Sequence, residues 1–183
     1  MSTEAIEKIK TRFPDAVEET HSQAGDDTVR VQRDSWFPVL EFVRKVLGFD
    51  LFVDLTAVDY LAREDGLPRF EMVIHLRNMA TGSRIRVKAR VPEADPSIQS
   101  VYSLWKGANW FERECHEMYG IDFKDSPDQR HLLLYNEFEG HPLRKDYPID
   151  KRQPRLPLLA SEERRFSRPA DETPHGHGPG FKE

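Results

Sequence analysis

The sequence contains a single cysteine, and that scarcity excludes several functions at once. One thiol cannot make an intrachain disulfide, which fits a reducing compartment, and it cannot hold an iron–sulfur cluster. No apolar run approaches the ~20 residues that a membrane-crossing helix needs. The opening MSTEAIEKIK mixes acid and base and lacks the apolar stretch of a signal peptide. No glycine-rich loop is present to cradle a phosphate. Basic residues are not in excess: 27 Lys and Arg stand against 32 Asp and Glu, a net charge of −5, which argues against a general nucleic-acid binder. These absences describe a soluble, cytosolic chain, or one attached to a membrane only through a partner.

What is present divides into a patterned body and an unpatterned extension. Residues 1–123 form the expected body. Residues 4–12 are amphipathic, with Ala5, Ile6 and Ile9 on one side, and Phe13-Pro14 ends the helix. Weak strands over 15–20 and 28–33 flank a hairpin turn at residues 24–27. Ser35 is placed to cap a helix whose buried stripe is Trp36, Val39, Leu40, Val43, Val46 and Leu47, with Gly48 as its stop. LFVDLTAV, residues 51–58, is apolar enough for a central strand. RFEMVIHLR and SRIRVKARV alternate strictly, so each buries one face, and residues 78–82 join them as a hairpin. Asp95 with Pro96 reads as the start of another helix, carrying Ile98, Val101, Leu104 and Trp105 inward. The order α-β-β-α-β-β-β-α-α implies an α+β fold: a mostly antiparallel sheet with helices packed on one face, followed by a long extended C-terminal arm.

After Phe123 the pattern is lost. Residues 124–183 hold 8 of the 13 prolines, and sixty unpatterned residues are too many for an ordinary loop. The segment is a disordered tail or an arm that orders against another protein. Residues 124–158 keep Tyr135, Phe138, Tyr147, Ile149 and several leucines, and read as a partner-binding arm. Residues 159–183 read as a disordered tail in which His175 and His177 are incidental.

The helix expected over residues 109–120 is the centre of the chain. Asn109 and Glu112 have capping-box spacing, and Gly120 suits a left-handed C-cap. Phe111, Cys115 and Met118 share an apolar face, leaving Glu112, Arg113, Glu114, His116 and Glu117 to the surface, where Arg113 and Glu117 can pair. Capping alone would make Glu112→Ala cost about 1 kcal/mol. Cys115-His116-Glu117 suggests a thiol or metal site, but the second histidine of a zinc protease motif is absent and Cys115 falls on the buried stripe. The basic row Arg84, Arg86, Lys88 and Arg90 fits a solvated face, or a face covered by an acidic partner, better than a phosphate site.

Two blocks carry a family resemblance. Glu112-Arg113-Glu114, then Glu117-Met118-Tyr119, then Arg130, Leu132 and Leu133 resemble the signature of the C-type, or 30-kilodalton, subunit family of respiratory complex I. Gly140 followed by His141-Pro142-Leu143-Arg144-Lys145-Asp146-Tyr147-Pro148 resembles the family's second motif. The resemblance covers roughly residues 1–155, and one position departs: Ser126 stands where the family usually has His or Lys. The resemblance implies a peripheral-arm subunit of the proton-translocating NADH:quinone oxidoreductase, on the cytoplasmic side of the inner membrane. It implies no catalytic residue, metal or cofactor in this chain; flavin (FMN), iron–sulfur clusters and quinone would belong to partner subunits. Its partner would be the D-type (49-kilodalton-like) subunit near the quinone site. Tyr135, Phe138 and Tyr147 would anchor the arm there, with Arg144, Lys145 and Asp146 as polar contacts. The length implies the form not fused to that partner. The alternatives are the same scaffold in a membrane-bound hydrogenase or another donor:quinone dehydrogenase, and a stand-alone metal or thiol enzyme.

Overall fold

The structure is a computed structural model, and it describes residues 2–61 and 66–155. The expected tail over 159–183, with His175 and His177, lies outside the described residues.

Helix α1, Ser2–Arg12, is followed by the hairpin β1, Val17–Gln23, and β2, Asp26–Val31. The hairpin turns on Ala24 and Gly25, both at positive φ (55° and 82°), as a two-residue turn between twisted strands requires. Helix α2 spans Trp36–Lys45, then come β3, Leu51–Asp59, β4, Phe70–Arg77, and β5, Arg84–Val91. Short strands β6, Ser97–Gln99, and β7, Asp122–Lys124, flank α3, Ala108–Tyr119. The main sheet has the order β1-β2-β5-β4-β3, with one parallel contact, β2 to β5. This is the mixed α+β architecture with a mostly antiparallel sheet that the periodicities imply.

Register explains the core. Met72 lies opposite Ala89, Ile74 opposite Val87 and Leu76 opposite Ile85, so one face of β4 and β5 is continuously apolar. Val29 and Val31 extend it on one side, Leu55 and Ala57 on the other. Ile6 and Ile9 of α1, Trp36, Val39, Leu40 and Val43 of α2, and Ala108 and Cys115 of α3 close over that face in one buried cluster. Each large aliphatic side chain so buried stabilises the fold by roughly 1.5–3 kcal/mol.

Three expectations about this body are corrected. The strand over 51–58 is not central but the sheet edge, with Leu51 40% and Val53 50% exposed and a bulge between Phe52 and Asp54. Its apolar character comes from packing under α3 rather than from strands on both sides. No helix starts at Asp95. Ile98, Val101, Leu104 and Trp105 are buried as expected, but from β6 and the turns after it. A parallel pairing of Ile98 with Phe123 in β7 competes successfully with a single helical turn. Ser35 makes no capping bond, because a 3-10 turn over Arg33–Ser35 leads the chain into α2.

Candidate partner-docking site

Helix α3 and the segment that follows it bring both sequence blocks together. The helix stops at Gly120, which takes a left-handed conformation (φ 70°) and donates its N–H to the His116 carbonyl at 2.8 Å. Any side chain there would collide with the Arg144 guanidinium and the His141 ring. The start of the helix differs from the expected capping box. Gly107 occupies the N-cap position without a side-chain bond, and Asn109 lies inside the first turn. The Asn109 amide donates to the Asp128 carbonyl at 3.0 Å and to Ser126 Oγ at 3.3 Å. Ser126 thus serves as a neutral tether.

Glu112 and Glu117 are not surface residues. Glu112 is 1% exposed, and its carboxylate accepts from Ser100 Oγ and from the Val101 N–H, both at 2.7 Å. Burial pushes its pKa up, and no cation offsets that. Glu117 is equally buried but sits in a nest of backbone donors: the N–H groups of Leu132, Leu133 and Leu134 reach it at 2.9, 2.8 and 3.2 Å. His131 Nδ1 lies 3.3 Å away. Burial alone would raise its pKa, yet these donors outweigh it and hold the carboxyl below its ordinary value. The apolar run Leu132-Leu133-Leu134 is therefore held by its backbone. Arg113 does not pair with Glu117. It lies over the Trp110 ring and donates to the carbonyls of Arg130 (2.8 Å) and His131 (2.7 Å). Glu114 is half-buried on the helix, and Arg130 pairs with Asp128 in solvent.

The second block returns along the same helix. His141 Nδ1–H donates to the Glu117 carbonyl at 2.9 Å, the Leu143 N–H to the Met118 carbonyl at 3.1 Å, and Arg144 Nε to the Tyr119 carbonyl at 2.5 Å. These are the carbonyls that a helix end leaves unpaired. The Arg144 guanidinium also lies over the Phe70 ring. The Lys145 N–H donates to Asp59 Oδ2 at 2.8 Å. Asp146 accepts twice from Arg69, at 2.7 and 3.1 Å. Tyr147 stacks on Phe138, which meets Tyr135 edge-on. Pro142 is half-buried and Pro148 exposed. We call residues 125–152 the strap, since its polar groups bind the chain's own body.

Asp59, Arg69 and Glu93 belong to this site and were missed from sequence. Arg69 makes a two-pronged bond to Asp59 (2.9 and 2.8 Å) and reaches Glu93 at 2.6 Å. These carboxylates, Asp59 foremost, raise its already high pKa further. The available signal was Asp59 itself: it occupies a core-facing position, after Leu55 and Ala57, where an apolar residue belongs.

The site offers little to a thiol or metal enzyme. Cys115 is 2% exposed, and burial drives its pKa well up. The His116 ring is engaged with the Ile121 carbonyl, and Glu117 is enclosed by the strap. Among the described residues no group of three or more His, Cys, Asp or Glu is arranged to hold a metal ion.

The sequence model of the family described as "Respiratory-chain NADH dehydrogenase, 30 Kd subunit" matches residues 29–153. The NADH-quinone oxidoreductase C subunit of Citrifermentans bemidjiense is 43% identical over 145 residues, which is 79% of this chain and 88% of that protein. The C subunit of Hyphomonas neptunium is 44% identical over 155 residues, 81% of this chain and 75% of that one. In Bdellovibrio bacteriovorus a 41% identical stretch, 73% of this chain, is 23% of a protein named as the C/D subunit of NADH-quinone oxidoreductase. Among solved structures, the trypsin-resistant fragment (1–134) of Nqo5 superposes with a TM-score of 0.60 at 29% identity, covering 69% of this chain and 97% of the fragment. A chain of an archaeal membrane-bound sulfane sulfur reductase shares the fold (TM-score 0.69, 24% identity, covering 81% and 86% of the two chains).

Proposed function

The chain belongs to the 30-kilodalton subunit family of respiratory-chain NADH dehydrogenase, and from that membership we propose that it serves as a non-catalytic scaffold in the peripheral arm of complex I. It packs on the D-type subunit near the quinone site and supports electron transfer from NADH to quinone. FMN, iron–sulfur clusters and quinone reside in the partners. The assembly holds the chain at the cytoplasmic face of the inner membrane, and no described helix is long and apolar enough to cross a membrane.

One observation carries this reading. The buried polar groups of both motifs bind the body, while Trp110 (58%), Leu133 (64%), Leu143 (49%) and Ile149 (104%) remain exposed along α3 and the strap. Large apolar side chains fixed on an ordered framework are what a docking surface needs. Tyr135, Phe138 and Tyr147, expected as anchors, pack on one another half-buried and so stiffen the strap. A relative whose name joins the C and D types supports the D-type partner. The same scaffold in a hydrogenase is not favoured, since the named relatives at about 40% identity belong to NADH-quinone oxidoreductase.

The test is affinity purification of the tagged full chain from its native membranes in mild detergent. Recovery within a flavin- and cluster-bearing assembly that contains the D-type subunit, with NADH:quinone activity, is the expected result. Recovery of the chain alone would overturn the reading.

A further inference from the structure

The sheet has a second face, turned away from the core, and the three described helices all pack on the other side. Its charges are unevenly satisfied. Toward one end Glu71 is buried and receives Arg30 Nε at 2.8 Å, Lys88 Nζ at 3.0 Å and the Tyr60 hydroxyl at 3.2 Å. Toward the hairpin end, Arg86 pairs with Asp26 at 3.1 Å and donates to Thr28 Oγ1 at 3.2 Å. Arg77 and Arg84 differ from all of these. They lie directly opposite each other on β4 and β5, and neither makes a side-chain hydrogen bond or ion pair within the described residues. Arg77 Nε is shielded from solvent yet has no acceptor. Two like charges facing each other across a strand pair are destabilising by themselves, and a shielded donor without an acceptor adds to that. Both deficits vanish if a carboxylate enters between them.

The surroundings say what carries that carboxylate. Arg77, Arg84 and Arg86 border a cavity of about 430 Å³, with Leu51 and Val53 of the edge strand as its apolar wall and Asp26 and Asp27 on its far side. Any anion must seat at the arginines, away from the two aspartates, and a free inorganic anion would gain nothing from Leu51 and Val53. A protein segment with an acidic residue beside an apolar one satisfies both halves of the rim: the guanidinium forks hold the carboxylate, and the apolar side chain covers Leu51 and Val53. We propose that the hairpin end of this open sheet face docks an acidic–apolar segment of a neighbouring protein, its carboxylate seated between Arg77 and Arg84. This rests on the reading that the chain works inside a multiprotein assembly, and it assigns that assembly a contact surface separate from α3 and the strap.

The test replaces the tagged chain in its native cells by R77E/R84E and by R77Q/R84Q, and measures the fraction that co-purifies with the assembly. Charge reversal is expected to cut retention ~10-fold or more, and the glutamine pair to cut it less, as losing a seated charge pair does. The melting temperature of the purified R77Q/R84Q chain should stay level or rise, since the Arg–Arg repulsion is gone; R77E/R84E exchanges that repulsion for a Glu–Glu one, and its cooperative melt serves to show that the fold is kept. A photo-crosslinking residue at position 84 should label a peptide bearing Asp or Glu from another protein of the assembly. Unchanged retention of R77E/R84E while the wild-type chain is recovered in the assembly would overturn this inference alone. Failure to recover the wild-type chain in any assembly would overturn the functional reading as well. Sedimentation of the wild-type chain with phosphatidylglycerol vesicles that R77E/R84E abolishes, with assembly retention intact, would assign the site to lipid and overturn the protein partner.

Discussion

The sheet body and the strap are held by opposite physics. The body closes through apolar alternation: Met72, Ile74, Val87 and Leu40 meet in a buried cluster, and no specific polar bond is needed to define it. The strap has few buried apolar groups. It is placed by charge and backbone: Glu117 under three N–H groups, helix-end carbonyls taking His141, Leu143 and Arg144, and Arg69 between Asp59 and Asp146. The body therefore depends on area, which tolerates approximate replacement. The strap depends on a few bonds with defined partners, where one lost acceptor leaves several donors stranded.

The most disruptive way to separate the two is Glu117→Ala. Three part-buried N–H groups lose their shared acceptor, and the strap should lose about 3 kcal/mol of local stability. Limited proteolysis within 125–150 should accelerate while the melting transition of the body moves little. A mutation of comparable size in the body, Leu40→Ala, should cost about 2–5 kcal/mol and act in the reverse way, lowering the global melting temperature with the strap cleaved only upon unfolding. Glu112→Ala should cost about 2 kcal/mol, because the Ser100 hydroxyl and the Val101 N–H would be left buried and unpaired. That exceeds the value expected of a helix cap, and denaturant titration distinguishes the two.

Acid should sharpen the contrast between the two glutamates. Glu117, Asp59 and Asp146 have folded-state pKa values below their ordinary ones, Glu117 and Asp59 despite the burial that opposes it, Asp146 through Arg69. Their contribution is complete above the unfolded-state value and disappears as pH falls through the folded-state value. Glu112 is shifted upward by burial, so its contribution is present at low pH and is lost as pH rises through its folded-state value. Lowering pH below about 4 should thus release the strap before it weakens the start of α3, and strap proteolysis measured across that range reads the order. The smallest effect is expected at Asp146, which is half exposed. Asp146→Asn should cost about 1 kcal/mol or less, visible as faster amide exchange around residues 145–147.

The body was legible because two strands alternate strictly and two helices carry an apolar stripe, although Val46, expected on the second, is exposed just past the end of α2. RFEMVIHLR and SRIRVKARV could be placed on one sheet, with the correct faces inward, by period alone. β6 was not legible, since Ile98, Val101, Leu104 and Trp105 fit helical spacing equally well and only a distant partner, Phe123, decides the matter. The strap was visible as a family motif but its direction was not. Glu117 has the neighbours of a surface residue in sequence, and the three N–H groups that bury it arrive from fifteen to seventeen positions away. Local pattern carries no record of such a pairing. Asp59 gave a signal, a carboxylate at a core-facing strand position, without naming Arg69 as its partner.

The contrast between body and strap stands most directly on whether the strap docks on α3 in the protein by itself. Hydrogen exchange of the Leu132, Leu133 and Leu134 amides in the full chain measures this. Docking predicts exchange ~100-fold or more slower than in an unfolded segment, the protection that about 3 kcal/mol of local stability gives, and its loss in Glu117→Ala. Unprotected amides in the wild-type chain would contradict it, and would return the segment to an arm ordered only by its partner.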